Sequence, residues 1–321
     1  MRLPSRPTAD RVRAVTIPHY GGPEVLTVGW VERPSLDDGH VLVAVGAAAV
    51  SNNDVLLRTG AQSRFLELLD PPYIAGMDLA GVVVESADPH WSPGDRVMGV
   101  VSAWRRGGGA QSSLVAVPAE SLAPTPEALS DVEASTLPMN ALTAWVALEG
   151  LGVGPGDTMI VLGAAGAVGG YAVQLASARG INVVAEGTSN DEELLTTLGA
   201  DVVVPRGTRS FEGCPDGVDA LLDTPVTGQD ALALVRDGGR IATLRPIHLE
   251  LERDVEQVKV FVPDHLKRSD ALAQISRLAA NGSLSARVAA VFAPERAADA
   301  HRAIEAGGIR GRPVLDLESL A

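Results

Sequence analysis

Cysteine and aromatic residues are scarce in this chain of 321 residues. Its single cysteine, Cys214, excludes an internal disulfide and a zinc site built from a cysteine cluster. Four Trp, three Tyr and four Phe supply little aromatic volume, although 46% of the residues are hydrophobic. The core must therefore be built mainly from Ala, Val and Leu, and the 34 Gly and 21 Pro indicate many tight turns.

Positive charge is also in short supply. The chain carries 26 Lys and Arg against 40 Asp and Glu, a formal net charge of -14. A field of that sign repels nucleic-acid phosphates and anionic lipid, so we expect neither nucleic acid nor a membrane as a partner. No apolar run follows the basic residues near the N-terminus, which predicts a cytoplasmic protein without a secretory signal.

The first 125 residues are rich in short Val-containing runs bounded by Gly, Pro, Asp or Asn, a pattern typical of an antiparallel barrel or sandwich. The predicted strands are Arg13–Ile17, Leu26–Val31, Val41–Val50, Gly81–Val84 and Ser113–Val117, with one helix at Asn53–Arg58.

After Pro124 the pattern changes, beginning with a predicted helix cap at Ser130, three residues before Glu133. To about residue 245, apolar runs alternate with helical segments, which predicts a parallel sheet with helices on both faces. The strands are Met159–Leu162, Asn182–Ala185, Val202–Val204, Ala220–Leu222 and Arg240–Leu244; the helices are Ala167–Arg179, Asp191–Leu198 and Gln229–Arg236. Residues 246–321 carry predicted helices Ser269–Asn281 and Glu295–Ala306 and a final strand, Pro313–Leu317.

A glycine turn follows the first strand of this alternating region. Glycine permits a sharp turn and lets the backbone approach a diphosphate at the N-terminus of the next helix. The motif departs from the usual G-x-G-x-x-G because Ala164 stands where the first glycine would be. With strand–helix units after it, the turn predicts dinucleotide binding, and an ordinary strand–helix turn is the alternative. The predicted binding residues are Gly163, Ala164, Ala165, Gly166, Ala167, Val168 and Gly169.

The end of the second strand in this region bears on which dinucleotide is bound. Gly187 stands where an NAD-binding protein would place an acidic residue, and Glu186 comes one position early. Thr188 and Ser189 are small donors suited to a 2′-phosphate, and Arg206 can supply a cation. These residues favour NADPH, although acidic residues 191–193 and a solvated surface position for Arg206 leave NADH open.

Several longer motifs occur in a recognisable order over nearly the whole chain. They are Tyr20–Leu26, Gly76–Val83, Pro93–Gly99, Leu137–Ala144, the glycine turn, Ala297–Ala306 and Gly308–Leu315. In these motifs the chain resembles the medium-chain dehydrogenase/reductase superfamily, in its quinone oxidoreductase (zeta-crystallin-like) branch. The resemblance implies a Rossmann domain at 126–260 with a doubly wound parallel sheet. A GroES-like β-barrel catalytic domain would be formed by 1–125 and 261–321, with the cofactor in the cleft between the domains. It also implies a homodimer, and a cofactor role for the position of Arg206.

The chain departs from the family at its metal and substrate positions. Ser51, Met77 and Asp78 stand where zinc-dependent relatives carry their ligands, so we expect no metal. Ser51 and Leu56 also replace the Asn and Tyr of many quinone reductases, and Gly108–Ser112 replaces a Gly-Gly-Tyr-Ala-Glu-Tyr run. These differences suggest a substrate other than a simple quinone.

Without zinc, hydride addition to a conjugated acceptor is favoured over reduction of an isolated carbonyl, because a few neutral donors can stabilise the delocalised charge. The candidate donors are Ser51, Asn52, Asn53 and Thr143. The alternatives are that the asparagines only cap a helix and that Thr143 only bonds its own helix; Asp54 is expected to be structural. We expect His90, His248 and His301 at the surface.

The sequence thus predicts an NADPH-dependent, zinc-independent reductase of a quinone or an α,β-unsaturated carbonyl compound. Two other hypotheses stay open at this point. One is a biosynthetic tailoring reductase with a bulky polyketide-like substrate. The other is a nucleotide-binding protein without redox turnover.

Overall fold

The computed structural model describes residues 10–210, 213–214, 216–245, 247–251 and 253–320, which form two compact units. The first consists of the described residues within Met1–Met139, together with Leu266–Arg277 and Ala286–Ala321. The second consists of the described residues of Asn140–His265 and Leu278–Ser285. The sequence predicted domain limits at 125 and 260, whereas the chain passes from the first unit to the second after Met139 and returns after His265.

The first unit is built mainly from β-strands. A seven-stranded sheet has the order β14-β15-β3-β4-β5-β7, with β6 also paired to β3, and β1 and β2 form a separate antiparallel pair. All its pairings are antiparallel except β14 with β15. The strands are β1 Arg11–Thr16, β2 Thr27–Glu32, β3 His40–Ala49, β4 Asp78–Ser86, β5 Arg96–Val100, β6 Leu114–Pro118, β7 Leu122–Pro124, β14 Val288–Phe292 and β15 Arg312–Asp316.

Aliphatic side chains fill the core of this unit, as the shortage of aromatic residues requires. Val43, Leu79, Val97 and Leu315 are among its fully buried members. The main helices are α1 Asn52–Arg58, α2 Asp131–Ala134, α6 Ser269–Ala280 and α7 Ala297–Ala306. The predicted cap of α2 is confirmed: Ser130 donates its N–H and hydroxyl to Glu133 at 2.9 and 2.7 Å, and the Glu133 N–H donates back at 3.3 Å.

The second unit holds a six-stranded sheet in the order β10-β9-β8-β11-β12-β13, in which every pairing is parallel. The order reverses between β8 and β11, and ligands of such sheets bind at the carboxyl ends of the strands beside this point. The predicted doubly wound Rossmann sheet is therefore confirmed. Its elements are α3 Pro138–Leu151, β8 Thr158–Leu162, α4 Ala167–Ser177, β9 Asn182–Gly187, α5 Glu192–Thr197, β10 Val202–Pro205, β11 Val218–Asp223, β12 Val235–Thr243 and β13 Val255–Lys259.

One predicted helix is wrong in part. Over Gln229–Arg236 the structure forms a 3-10 helix, Gly228–Leu234, and β12 already begins at Val235. Val235 is fully buried in the core of the second unit and is paired with Val218, so tertiary packing overrides the local apolar spacing. No helix within the described part of the chain is long and apolar enough to cross a membrane.

Candidate functional site

The glycine turn lies at the carboxyl end of β8, beside the reversal of strand order. Gly163 has φ +65°, and a Cβ there would come within 2.6 Å of the Thr224 hydroxyl oxygen. A Cβ on Gly169 would overlap the Gly163 carbonyl oxygen. Gly166 precedes α4, whose first N–H groups have no carbonyl partner in a preceding turn, and residues 166–168 are partly exposed. This backbone can accept a diphosphate at the positive end of the helix.

Glu186 connects the glycine turn to the turn after β10. One carboxylate oxygen accepts the Gly163 N–H at 3.1 Å, and the other accepts the Gly207 N–H at 3.0 Å. Although Glu186 comes one position before the place expected for an acidic residue, its side chain lies against the glycine turn. The carboxylate oxygens keep further lone pairs, which makes Glu186 an acceptor for a ribose hydroxyl.

The three residues predicted to hold a 2′-phosphate follow the adjacent strands β9 and β10. Pro205 pairs with Gly187, so Arg206 and Thr188 follow at the same level of the sheet. The Thr188 hydroxyl donates to the Asp191 carboxylate at 2.7 Å, which commits its only proton to a local cap. Ser189 and Arg206 are exposed, and among the described residues neither side chain has a hydrogen bond or an ion pair. They are therefore the two members of the predicted set whose donors are available.

The turn after β11 also borders the glycine turn, and the sequence patterns did not single it out. Asp223 is fully buried, and its carboxylate accepts the N–H groups of Thr227 and Gly228, both at 2.8 Å. Thr224 donates its hydroxyl to the Leu162 carbonyl at 2.8 Å. Val226, two positions after Thr224, has φ +65°. This backbone conformation is strained for a β-branched residue, and such strain typically occurs near functional sites. The Thr-Pro pair directly after a buried strand was the available signal.

In the first unit, Ser51 caps α1 together with Asp54. The Asp54 carboxylate accepts the Ser51 N–H at 2.6 Å, its hydroxyl at 3.2 Å and the Gly76 N–H at 2.8 Å. Burial raises the pKa of Asp54 to about 6, and the backbone N–H groups of Gly76 and Ser51 oppose that rise. These contacts fit the structural role expected for Asp54 and assign the Ser51 proton to it.

The other candidate donors differ in their surroundings. Asn52 is exposed, whereas Asn53 is half-buried, with its amide nitrogen 3.7 Å from the Met77 sulfur and its carbonyl oxygen 3.3 Å from the Gln62 amide nitrogen. Both lie inside the first turn of α1, so neither is its cap. Thr143 lies half-buried on the part of α3 that belongs to the second unit.

Comparison with known proteins identifies the family. The chain matches an alcohol dehydrogenase GroES-like domain over residues 37–127 and a zinc-binding dehydrogenase domain over 198–315. It is 30% identical over 308 residues to a probable mitochondrial zinc-binding oxidoreductase of Arthroderma benhamiae, covering 88% of this chain and 89% of that protein. The chain belongs to the medium-chain dehydrogenase/reductase superfamily. Members of this superfamily are oxidoreductases that use a nicotinamide cofactor, and the predicted pairing of a GroES-like domain with a Rossmann domain is confirmed.

Two further proteins are similar to this chain. A 2-methylene-furan-3-one reductase of Solanum lycopersicum is 33% identical over 245 residues, covering 73% of this chain but only 62% of that protein. The crystal structure of a probable oxidoreductase from Mycobacterium abscessus aligns over 95% of this chain and 99% of its own, with 28% identity and a TM-score of 0.81.

Some of these names mention zinc, but the residues at the expected ligand positions of this chain do not fit a zinc site. Asp78 is fully buried in an ion pair with Arg312 at 2.9 Å and accepts the Met139 N–H at 2.6 Å. Ser51 is committed to Asp54, and the Met77 thioether faces the Asn53 amide. Among the described residues no three His, Cys, Asp or Glu side chains come together as metal ligands. The chain therefore stands in the zinc-independent, quinone oxidoreductase-like branch of the superfamily.

One histidine departs from its expected place. His90 and His248 are exposed as predicted, but His301, on α7, is fully buried and the prediction for it was wrong. Burial, together with the neighbouring Arg58, lowers the pKa of His301 to about 3, so the ring is neutral at physiological pH. The fully buried Arg58 pairs with Glu305 across α1 and α7, which assigns this cluster to packing of the first unit.

Proposed function

We propose that this protein is an NADPH-dependent, zinc-independent reductase that transfers hydride to a quinone or to the conjugated double bond of an enone. The observation that carries the proposal is the glycine turn at the strand-order reversal, with the exposed Arg206 at the same edge of the sheet. The similarity to 2-methylene-furan-3-one reductase, an enone reductase by its name, supports the choice of acceptor.

The residues of the second unit would hold the cofactor, which supplies a hydride when bound. The backbone at Gly166–Val168 receives the diphosphate, and Ser189 and Arg206 receive the 2′-phosphate. In the first unit, neutral donors at Asn52 and Asn53 stabilise the carbonyl oxygen as it gains negative charge, whereas the Ser51 hydroxyl donates to Asp54. The bound cofactor would supply hydride for the β-carbon of the acceptor, these donors would stabilise the charge that moves to the oxygen, and solvent would supply the proton of the saturated product.

The position of Glu186 is an argument against NADPH. Its carboxylate accepts the N–H of Gly207, the residue that follows Arg206. A carboxylate repels a 2′-phosphate and favours a free ribose diol. We assign the preference to NADPH because the exposed guanidinium of Arg206 can pair with a phosphate bidentately.

The activity is tested by loss of nicotinamide absorbance with a panel of enones and quinones, including bulky polyketide-like ones. Turnover of small acceptors supports the proposal. Turnover restricted to bulky enones favours a tailoring reductase. Cofactor binding with no oxidation by any acceptor would leave a nucleotide-binding protein without redox activity and would refute the proposed reaction.

The cofactor preference is tested by Arg206→Ala. Loss of a charge-assisted contact is expected to raise the Kd of NADPH about tenfold to a hundredfold and to leave that of NADH nearly unchanged. Arg209→Ala is the matched control, because Arg209 is an exposed arginine three positions away that pairs with Asp230. Equal effects of Arg206→Ala on both cofactors, measured by titration of nucleotide fluorescence, would exclude the phosphate role.

The homodimer implied by the family resemblance and the cytoplasmic location predicted from the sequence belong to the same proposal. Light scattering on the purified protein tests the first, because a monomer at working concentration would exclude it.

A further inference from the structure

Three side chains of the first unit form a hydrogen-bonded chain that ends at Asn53. The Trp104 indole N–H donates to the Gln62 carbonyl oxygen at 3.0 Å. The Gln62 amide nitrogen donates to the Asn53 carbonyl oxygen at 3.3 Å, and the Asn53 amide nitrogen lies 3.7 Å from the Met77 sulfur. Gln62 is only 8% exposed, so its amide has little access to competing water.

The indole at the start of this chain determines the direction of every bond after it. A side-chain amide can turn its oxygen or its nitrogen toward a neighbour, but an indole N–H can only donate. Gln62 must therefore face Trp104 with its oxygen and Asn53 with its NH₂ group. Asn53 in turn presents its oxygen to Gln62, which leaves its own NH₂ group pointing away. Trp104 thus fixes the orientation of an amide with which it makes no hydrogen bond.

The NH₂ group of Asn53 keeps donor capacity in this arrangement. A thioether sulfur is a weak acceptor, and it engages one of the two N–H bonds. Asn53 is half-buried on the first turn of α1, next to the cap residue Ser51. An amide held in this way offers hydrogen-bond donors, and it selects for an oxygen that accepts, such as a carbonyl or enolate oxygen.

An aromatic pair holds the indole in place. The Trp104 ring stacks on Phe65 with the ring centroids 4.7 Å apart and an angle of 23° between the planes. The Arg64 guanidinium lies over the Phe65 ring, 4.6 Å from its centroid. Stacking and a cation–π contact restrict the motion of the indole, so its N–H stays aimed at Gln62.

We propose that Trp104 and Gln62 are positioning residues that hold the Asn53 amide with its second N–H toward the carbonyl oxygen of the substrate. The inference rests on the proposed reductase function and names the contact that recognises the acceptor. Loss of the indole N–H lets the two amides turn, and an Asn53 oxygen directed at the substrate repels the charge that develops on the carbonyl oxygen.

The variant Trp104→Phe tests this chain because it keeps a ring to stack on Phe65 and removes only the N–H donor. We expect kcat for an enone to fall about tenfold, with the KM and the Kd of the cofactor little changed. Trp91→Phe is the matched control: the Trp91 N–H donates to the Ala119 carbonyl at 3.2 Å in the same unit, and its loss should leave kcat unchanged.

A double-mutant cycle separates positioning from general packing. Asn53→Ala alone should lower kcat about tenfold to a hundredfold, as loss of a donor to a developing oxyanion does. In that background Trp104→Phe should cause no further loss, because the residue through which it acts is absent. Additive losses would overturn the proposal. Gln62→Glu should behave like Trp104→Phe, since a carboxylate accepts the indole N–H but cannot donate to Asn53.

A second readout does not depend on turnover. In ¹⁵N spectra of the full chain, Trp104→Phe should shift or double the side-chain NH₂ resonances of Asn53, and Trp91→Phe should leave them unchanged. If the wild-type protein reduces no acceptor while Trp104→Phe still changes the Asn53 resonances, the reductase function is refuted and the orienting chain is retained. Unchanged Asn53 resonances in Trp104→Phe would overturn the chain whatever the activity.

Discussion

The two candidate sites of this molecule differ in whether backbone groups or side chains form them. At the carboxyl edge of the second unit, the surface is backbone: glycines whose missing Cβ atoms permit the turn, and the first N–H groups of α4. In the first unit, the region around α1 depends on side chains that fix one another, including the Asp54 cap, the Asp78–Arg312 pair and the amide of Asn53. A backbone site depends on local sequence, whereas a side-chain site depends on residues brought together from distant segments.

The largest effect is expected where the side-chain region is most deeply buried. Arg312→Met leaves the fully buried carboxyl group of Asp78 without its partner and should lower the free energy of unfolding by about 3–5 kcal/mol. Arg302→Met, at an exposed pair with Asp299, should cost about 0–1 kcal/mol. Urea denaturation of both variants checks the difference, and similar small losses would show that the first unit does not depend on this pair.

A pH effect of somewhat smaller size is expected from Asp54. Because burial raises the folded-state pKa of this carboxyl from 3.8 to about 6, its protonated form favours folding. That stabilisation is fully present below about pH 4 and is lost as the pH rises through about 6, a difference of up to about 3 kcal/mol.

The measurement is the free energy of unfolding of wild type and Asp54→Asn between pH 4 and 7. The wild type should lose stability relative to the variant as the pH rises. A difference that does not change with pH would show that Asp54 is ionised as easily in the folded chain as in the unfolded one.

The smallest expected effect concerns the backbone site. Gly169→Ala places a Cβ against the Gly163 carbonyl oxygen and should raise the Kd of the dinucleotide about tenfold or somewhat more, because the turn must shift. Gly154→Ala is the control, since a Cβ there meets nothing within 4 Å. Unaltered affinity in Gly169→Ala, measured by calorimetry, would show that the turn is not the binding surface.

Much of the second unit could be predicted because its buried strands are short apolar runs that alternate with helices. The edge strand β13 was missed because only Val255 of its five residues is buried, and the polar Glu256, Gln257 and Lys259 conceal the pattern. Strand β14, at the edge of the seven-stranded sheet of the first unit, was also missed. Three of its five residues are exposed, and its Val-Ala-Ala-Val-Phe sequence has no alternation that marks one face.

The candidate site of the first unit was only partly predictable. The cap formed by Ser51 and Asp54 and the donors at 51–53 are local patterns within four residues. The link from Trp104 to Asn53 joins positions 51 residues apart through Gln62, and no spacing rule connects them. His301 was misplaced for the same reason, since α7, which carries it, packs against α1, a helix distant in the sequence.

The carboxylate of Glu186 has a consequence for redesign of this protein. Because it accepts the N–H groups of both Gly163 and Gly207, the glycine loop and the loop that carries Arg206 are linked to each other. An engineer who exchanges the coenzyme by altering one loop will disturb the other, and the two loops have to be rebuilt as a set.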